Sequence, residues 1–213
     1  MSTLTLFTSG STDEPKIVTH SWDYIRSCAI KSRTEIGLTK TDIVLDVFPA
    51  NTIAHYTITA FPAVLSGAQH VSSNFSAYTY PDLITRFKPT VIALIPRHLE
   101  LLSNTKAFKQ LDMSSVRYMV TGSSKIEQSF IDAFRERGVQ TVANWYGMTE
   151  APPPVMIGYN TTNFTKITED VSFSSEGECI INGWHTGDIF DVSTMTFSHR
   201  KNPSNGKTWK TKV

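Results

Sequence analysis

Four short runs of apolar, largely β-branched residues, at 43–48, 90–95, 116–121 and 139–143, are separated by segments with helical spacing. They restrict the fold more than any other feature of the chain. The runs at 43–48 and 90–95 are apolar at mostly consecutive positions, the pattern of a strand covered on both faces, and those at 116–121 and 139–143 read as further strands. Between them, residues 22–36, 52–65, 80–87, 96–103 and 125–137 read as helices, stopped at Gly37, Gly67 and Gly138, and residues 69–71 as a further short strand. Strand and helix alternating in this way predict an α/β fold, a mostly parallel sheet flanked by helices. Beyond Pro152 the runs shorten, Thr, Ser and Asn become frequent and helix signals stop. We therefore expect an α/β core over 1–151 and a small β-rich section with a basic tail over 152–213.

In such sheets ligands bind in the loops after the carboxyl ends of the strands. The chain opens with a hydroxyl-rich, Gly-containing segment, Thr8-Ser9-Gly10-Ser11-Thr12, ending at Lys16, between a short strand at 4–7 and a helix for which Ser21 is the expected N-cap. Backbone N–H groups, hydroxyls and one ammonium gathered in one turn suit phosphate oxygens. Pro15 before Lys16 and Ile17 after it exclude the common nucleotide-hydrolase P-loop, and a solvated Ser/Thr turn is the alternative. Three later loops carry polar groups in the same spatial logic: Gly122-Ser123-Ser124, Asn144-Trp145-Tyr146-Gly147-Met148-Thr149-Glu150, and His185-Thr186-Gly187-Asp188. Each alone reads equally as a turn.

Net charge is +1 over 213 residues, so nothing draws the chain generally to nucleic acid or to a membrane surface. Cys28 and Cys179 have no metal-type spacing, which fits a reducing cytoplasm. No apolar run approaches membrane-spanning length and no signal peptide is read at Met1.

Taken in order, these segments resemble the adenylate-forming superfamily of acyl-CoA synthetases, luciferases and adenylation domains. Residues 8–16 resemble its phosphate loop, with Asp13 and Ile17 where the family usually has Gly, and 146–150 its aromatic-Gly-x-Thr-Glu signature. Asp13 sets a negative charge beside a phosphate site unless its side chain caps the turn. The resemblance implies ATP or AMP held by Thr8, Ser9, Gly10, Ser11, Thr12 and Lys16, by Gly122, Ser123 and Ser124, by Asn144, Trp145, Tyr146 and Gly147, and by Thr149 and Asp188. Tyr146 would stack on adenine, Gly147 would let backbone approach the nucleotide, and Asp188 would accept from the ribose hydroxyls. Glu150 would hold Mg²⁺, and Lys16, Thr149 and Glu150 would act in catalysis.

The implied reaction is activation of a small carboxylic acid as an acyl-adenylate, with coenzyme A or a carrier protein as acceptor. Thr52 and His55 fall where the family's acid pocket begins. His55 is equally read as a helix residue satisfied by a backbone partner. No Asp stands where amino-acid-activating relatives bind the α-amino group, so a plain acid is expected. Nothing here matches the family's N-terminal portion or its mobile C-terminal domain with its lysine, and residues 197–202 resemble the start of the hinge to that domain. Slow or absent turnover is therefore expected, and a catalytically degenerate nucleotide-binding or interaction module is the competing account. An uncovered apolar face implies a homodimer or a separately encoded partner domain.

Overall fold

The computed structural model describes residues 2–8 and 16–201. The chain opens with an antiparallel hairpin of β1 (Thr3–Thr8) and β2 (Lys16–Ser21), which runs directly into α1 (Trp22–Ile36). The sequence reading placed no strand after the hydroxyl-rich segment. Alternation of Ile17, Val18, Thr19 and His20 across the hairpin supplies one, with Val18 and His20 inward. Ser21 is the helix cap as expected, its Oγ accepting from the Tyr24 N–H at 3.2 Å.

The main sheet has seven strands in the order β4 (Gln69–Ser72), β3 (Ile43–Asp46), β5 (Val91–Ala93), β6 (Tyr118–Gly122), β7 (Thr141–Tyr146), β8 (Met156–Tyr159) and β9 (Lys166–Ile167). The first five are parallel and the last two antiparallel. Successive side chains face opposite sides, so Leu45, Ile92, Met119 and Val142 join one buried cluster and Val44, Val91, Tyr118, Val120 and Ala143 the other.

The first cluster is completed by α3 (Tyr80–Phe87), α4 (Pro96–Ser103), α5 (Lys106–Lys109) and α6 (Gln128–Glu136). The second is completed by α1 and by the segment that follows β3, a π-helical turn (His55–Ala60) running into α2 (Phe61–Ser66). Right-handed crossovers explain this division. The chain winds outward from β3 to β4 over one face, then returns past β3 to β5, β6 and β7 over the other. The winding therefore reverses between β3 and β5, and their carboxyl ends form the switch point.

Residues 171–200 form a second, antiparallel sheet of β10 (Val171–Phe173), β11 (Glu178–Ile181), β12 (Trp184–Asp191) and β13 (Thr196–Arg200). The boundary expected at 151/152 falls inside the main sheet, because β8 and β9 extend it. The change of sequence texture there marks a switch from parallel strands, buried on both faces, to antiparallel ones. Among the described residues no helix is long and apolar enough to cross a membrane.

Candidate functional site

In the hairpin, Thr8 pairs with Lys16, so the hydroxyl-rich segment is the connection at its tip. Ser9, Gly10, Ser11 and Thr12, and with them Asp13, lie outside the described residues, as do the side chains of Thr8 and Lys16. The hairpin's base is described and is anchored. Leu6 packs on Ile25 and Ile53, and the buried His20 donates from Nε2 to the Thr149 carbonyl at 2.7 Å. Hairpin and Tyr146–Glu150 turn therefore meet.

Strand β7 runs through Tyr146, so this part of the expected loop is strand and its side chains alternate. Trp145 is 2% exposed and packs in the cluster that holds Tyr118, on the face opposite Asn144 and Tyr146. It does not join the group. Asn144 is buried and donates from Nδ2 to the Thr162 carbonyl at 3.1 Å, which holds the connection between β8 and β9.

Gly147 has a packing reason to be glycine, since a Cβ there would stand 2.6 Å from the Pro153 nitrogen. Gly122 is likewise demanded by its neighbour strand, with a Cβ 2.1 Å from the Trp145 carbonyl oxygen. Ser123, with φ 69, and Ser124 follow it exposed. Glu150 is half-buried and has no hydrogen-bond partner among the described residues. A free carboxylate of this kind suits Mg²⁺, which is bound through one or two carboxylates plus substrate phosphates.

Asp188 lies within β12 rather than in a loop after a strand, with Gly187 at φ +78 before it. It is 1% exposed and fully partnered. Arg200, opposite it on β13, donates Nε to Oδ1 at 2.5 Å and Nη2 to Oδ2 at 2.9 Å, and the Tyr146 hydroxyl donates to Oδ2 at 2.8 Å. The Tyr146 ring is 8% exposed, edge-to-face with Phe164 and Phe190. Burial, then the adjacent Asp188 charge, pushes its hydroxyl far above the usual tyrosine range.

The expected adenine-stacking role does not fit this placement, because core aromatics surround the ring and its hydroxyl fixes Asp188. Arg200 was not picked out from sequence, since its position opposite Asp188 depends on a register shift between β12 and β13. Its hydrogen bonds to Asp188 raise its pKa against the opposing effect of burial, and the charge of Glu150 adds to them. Tyr146, Glu150, Asp188 and Arg200 thus share one electrostatic neighbourhood.

The acid-pocket candidates have separate settings. The Thr52 hydroxyl donates to the Pro49 carbonyl at 2.7 Å and closes the turn into the helical segment. His55 opens the π-helical turn, and its Nδ1 lies 2.7 Å from Oδ2 of Asp46, a residue 0% exposed at the carboxyl end of β3. That contact is with a side chain, not with the backbone partner held open above. Asp46 was also missed, although one acidic residue inside the apolar run 43–48 signals a buried charge in need of partners.

The model of the AMP-binding enzyme family matches residues 3–182. The chain belongs to that family. It is 30% identical over 154 residues to 4-coumarate–CoA ligase 3 of Arabidopsis thaliana, a match covering 69% of this chain and 27% of that one. It is also 30% identical over 151 residues to indoleacetate–CoA ligase of Aromatoleum aromaticum, covering 70% of this chain and 29% of the relative. The matched stretch is thus under a third of either relative.

Among solved structures, the N-terminal domain of FACL13 from Mycobacterium tuberculosis superposes with a TM-score of 0.74 at 19% identity, over 92% of this chain and 60% of that one. The O-succinylbenzoate coenzyme A synthetase of Bacillus subtilis, solved with ATP and magnesium, gives 0.73 at 21% identity, over 92% and 49%. These two likenesses establish the fold.

Proposed function

We propose that the chain binds an adenine nucleotide and activates a small carboxylic acid as its acyl-adenylate, with coenzyme A or a carrier protein as acceptor. The observation that carries this is convergence: His20 ties the hairpin to Thr149, while Asp188 and Arg200, with the Tyr146 hydroxyl and the Glu150 charge, share one neighbourhood beside that contact. Attack of a carboxylate on the α-phosphorus needs positioning and charge neutralisation rather than covalent help. In this proposal the hairpin tip with Lys16 holds phosphates, Thr149 orients the α-phosphate and Asp188 meets the ribose. Glu150 would hold Mg²⁺, which when bound neutralises phosphate charge. Asp188 is enclosed by Arg200 and Tyr146, so its access to ribose hydroxyls requires the Arg200 side chain to move. Relatives named as CoA ligases of 4-coumarate and of indoleacetate support the substrate class.

One observation favours a second reading, a nucleotide-binding or interaction module without catalysis. Asp188 and Tyr146 already have an architectural use, joining the two sheets, and would be kept without a reaction. Acid-dependent ATP–pyrophosphate exchange over a panel of carboxylic acids separates the two. Glu150→Ala is expected to lower exchange at least about 100-fold, the scale of a lost electrostatic group. Calorimetry with ATP·Mg and with AMP tests binding itself; no heat and no thermal shift would remove the nucleotide-binding claim. The outward pair Phe7 and Ile17, 68% and 66% exposed on the hairpin, supports a homodimer or a partner domain. Light scattering at micromolar concentration should then give more than the monomer mass.

A further inference from the structure

Asp46 is 0% exposed at the switch-point end of β3 and is held between two imidazoles. The His70 ring on the edge strand β4 donates Nε2 to Oδ2 at 3.0 Å. His55 Nδ1 lies 2.7 Å from the same oxygen, off the direction of its N–H. The Phe48 N–H donates to Oδ1 at 2.9 Å. Burial alone would raise the Asp46 pKa. The hydrogen bonds from His70 and from the Phe48 N–H, with the His55 imidazole and the Thr59 hydroxyl alongside, outweigh it and hold the carboxyl below the usual range.

An ionised carboxylate only accepts hydrogen bonds, and two lone pairs at 2.7 Å would repel. Both nitrogens facing Asp46 therefore carry the proton, Nδ1 on His55 and Nε2 on His70. In the neutral rings the other two nitrogens are then acceptors. Among the described residues neither of these has a hydrogen-bond partner, and the side chains keep 16% and 24% exposure. The ring centroids stand 6.2 Å apart, with both rings against the same Asp46 oxygen. The π-helical turn that begins at His55 is a rare geometry often found at functional positions. Ile53, two residues before His55, packs with Leu6 of the hairpin.

We propose that Asp46 is a positioning residue of the acid pocket, fixing His55 and His70 as two acceptor nitrogens that select an acid carrying a hydroxyl donor. This rests on the acid-activation reading above and narrows its substrate to hydroxy acids. A site built to bond a substrate hydroxyl discriminates strongly against the analogue lacking it, by about 10⁴-fold when wholly buried and by less at a partly exposed pair.

Exchange assays with matched acids, 4-hydroxybenzoate against benzoate and 3-hydroxybutyrate against butyrate, test it. At least one hydroxylated member should be favoured about tenfold or more in kcat/KM. Asp46→Asn, whose amide donates to the rings and reverses their protons, should bring that ratio to within about twofold through the acid's KM, with the KM for ATP unchanged. Because a change at so buried a site can unfold the chain, ¹⁵N imidazole spectra of the wild-type protein at pH 8 give a second readout. Nδ1–H on His55 and Nε2–H on His70 are expected, and the opposite tautomer at either overturns the assignment. Exchange that ignores the hydroxyl overturns it while leaving acid activation standing; no exchange with any acid removes both.

Discussion

Asp42, buried at the start of β3, shows how one side chain makes folding depend on pH. Arg117 donates to both its oxygens at 2.8 Å, Thr90 Oγ1 donates at 2.7 Å and the Thr39 N–H at 2.8 Å. Burial pulls its pKa up, and these bonds, led by Arg117, pull it well below the usual carboxylate range. A folded-state pKa below the unfolded one gives stability that is complete above about pH 4, the unfolded value, and is lost as pH falls through the lowered one. Urea midpoints between pH 5 and 2 should fall more steeply for the wild type than for Asp42→Asn. Arg117→Met strands the buried carboxylate and should cost about 3 kcal/mol at pH 7. Asp42 follows Thr41 at a strand edge and looks like any surface turn residue in sequence; only folding brings Arg117, 75 positions away, against it.

At the scale of elements, the turn after β7 is where a sequence motif and its structural cause part company. A motif-based account gives Gly147 to the nucleotide. The structure gives it to Pro153, whose nitrogen and Cα would stand 2.6 and 2.7 Å from an added Cβ. Gly147→Ala is therefore expected to lower stability by about 1–3 kcal/mol, an overpacking cost, measured as a fall in thermal midpoint without ligand. A variant with unchanged midpoint and weaker AMP binding would return Gly147 to the ligand. The four buried parallel strands were legible because burial on both faces writes short, mostly apolar runs. The second strand of the hairpin and the position of Asp188 inside β12 were not. Antiparallel elements with one wet face alternate polar and apolar residues, and beside Ser, Thr and Gly they read as loops.

For the whole molecule, the decisive contacts bridge the two sheets. Tyr146 of the main sheet and Arg200 of the small one share Asp188, and Tyr146 packs in one cluster with Cys179, Ile181 and Phe190. Lys31 pairs with Glu169, and Lys166 with Glu35, tying α1 to the chain around β9 and β10. Arg200→Met should leave the buried Asp188 charge unpaired and cost about 3 kcal/mol. Limited proteolysis should then cut within residues 171–201 before the main sheet; digestion of both together would show that Arg200 does not couple them.

Read alone, the chain determined its class of fold, because hydrophobic burial on both faces of a parallel strand is written locally as a short, mostly apolar run. Through the family resemblance it also singled out Tyr146 and Asp188, which the fold joins by a hydrogen bond. Which of them are free to meet a ligand was decided only by tertiary structure. A carboxylate's partners come from distant strands, and registers, bulges and crossovers set by packing of the whole chain placed Arg200 on Asp188 and two histidines on Asp46.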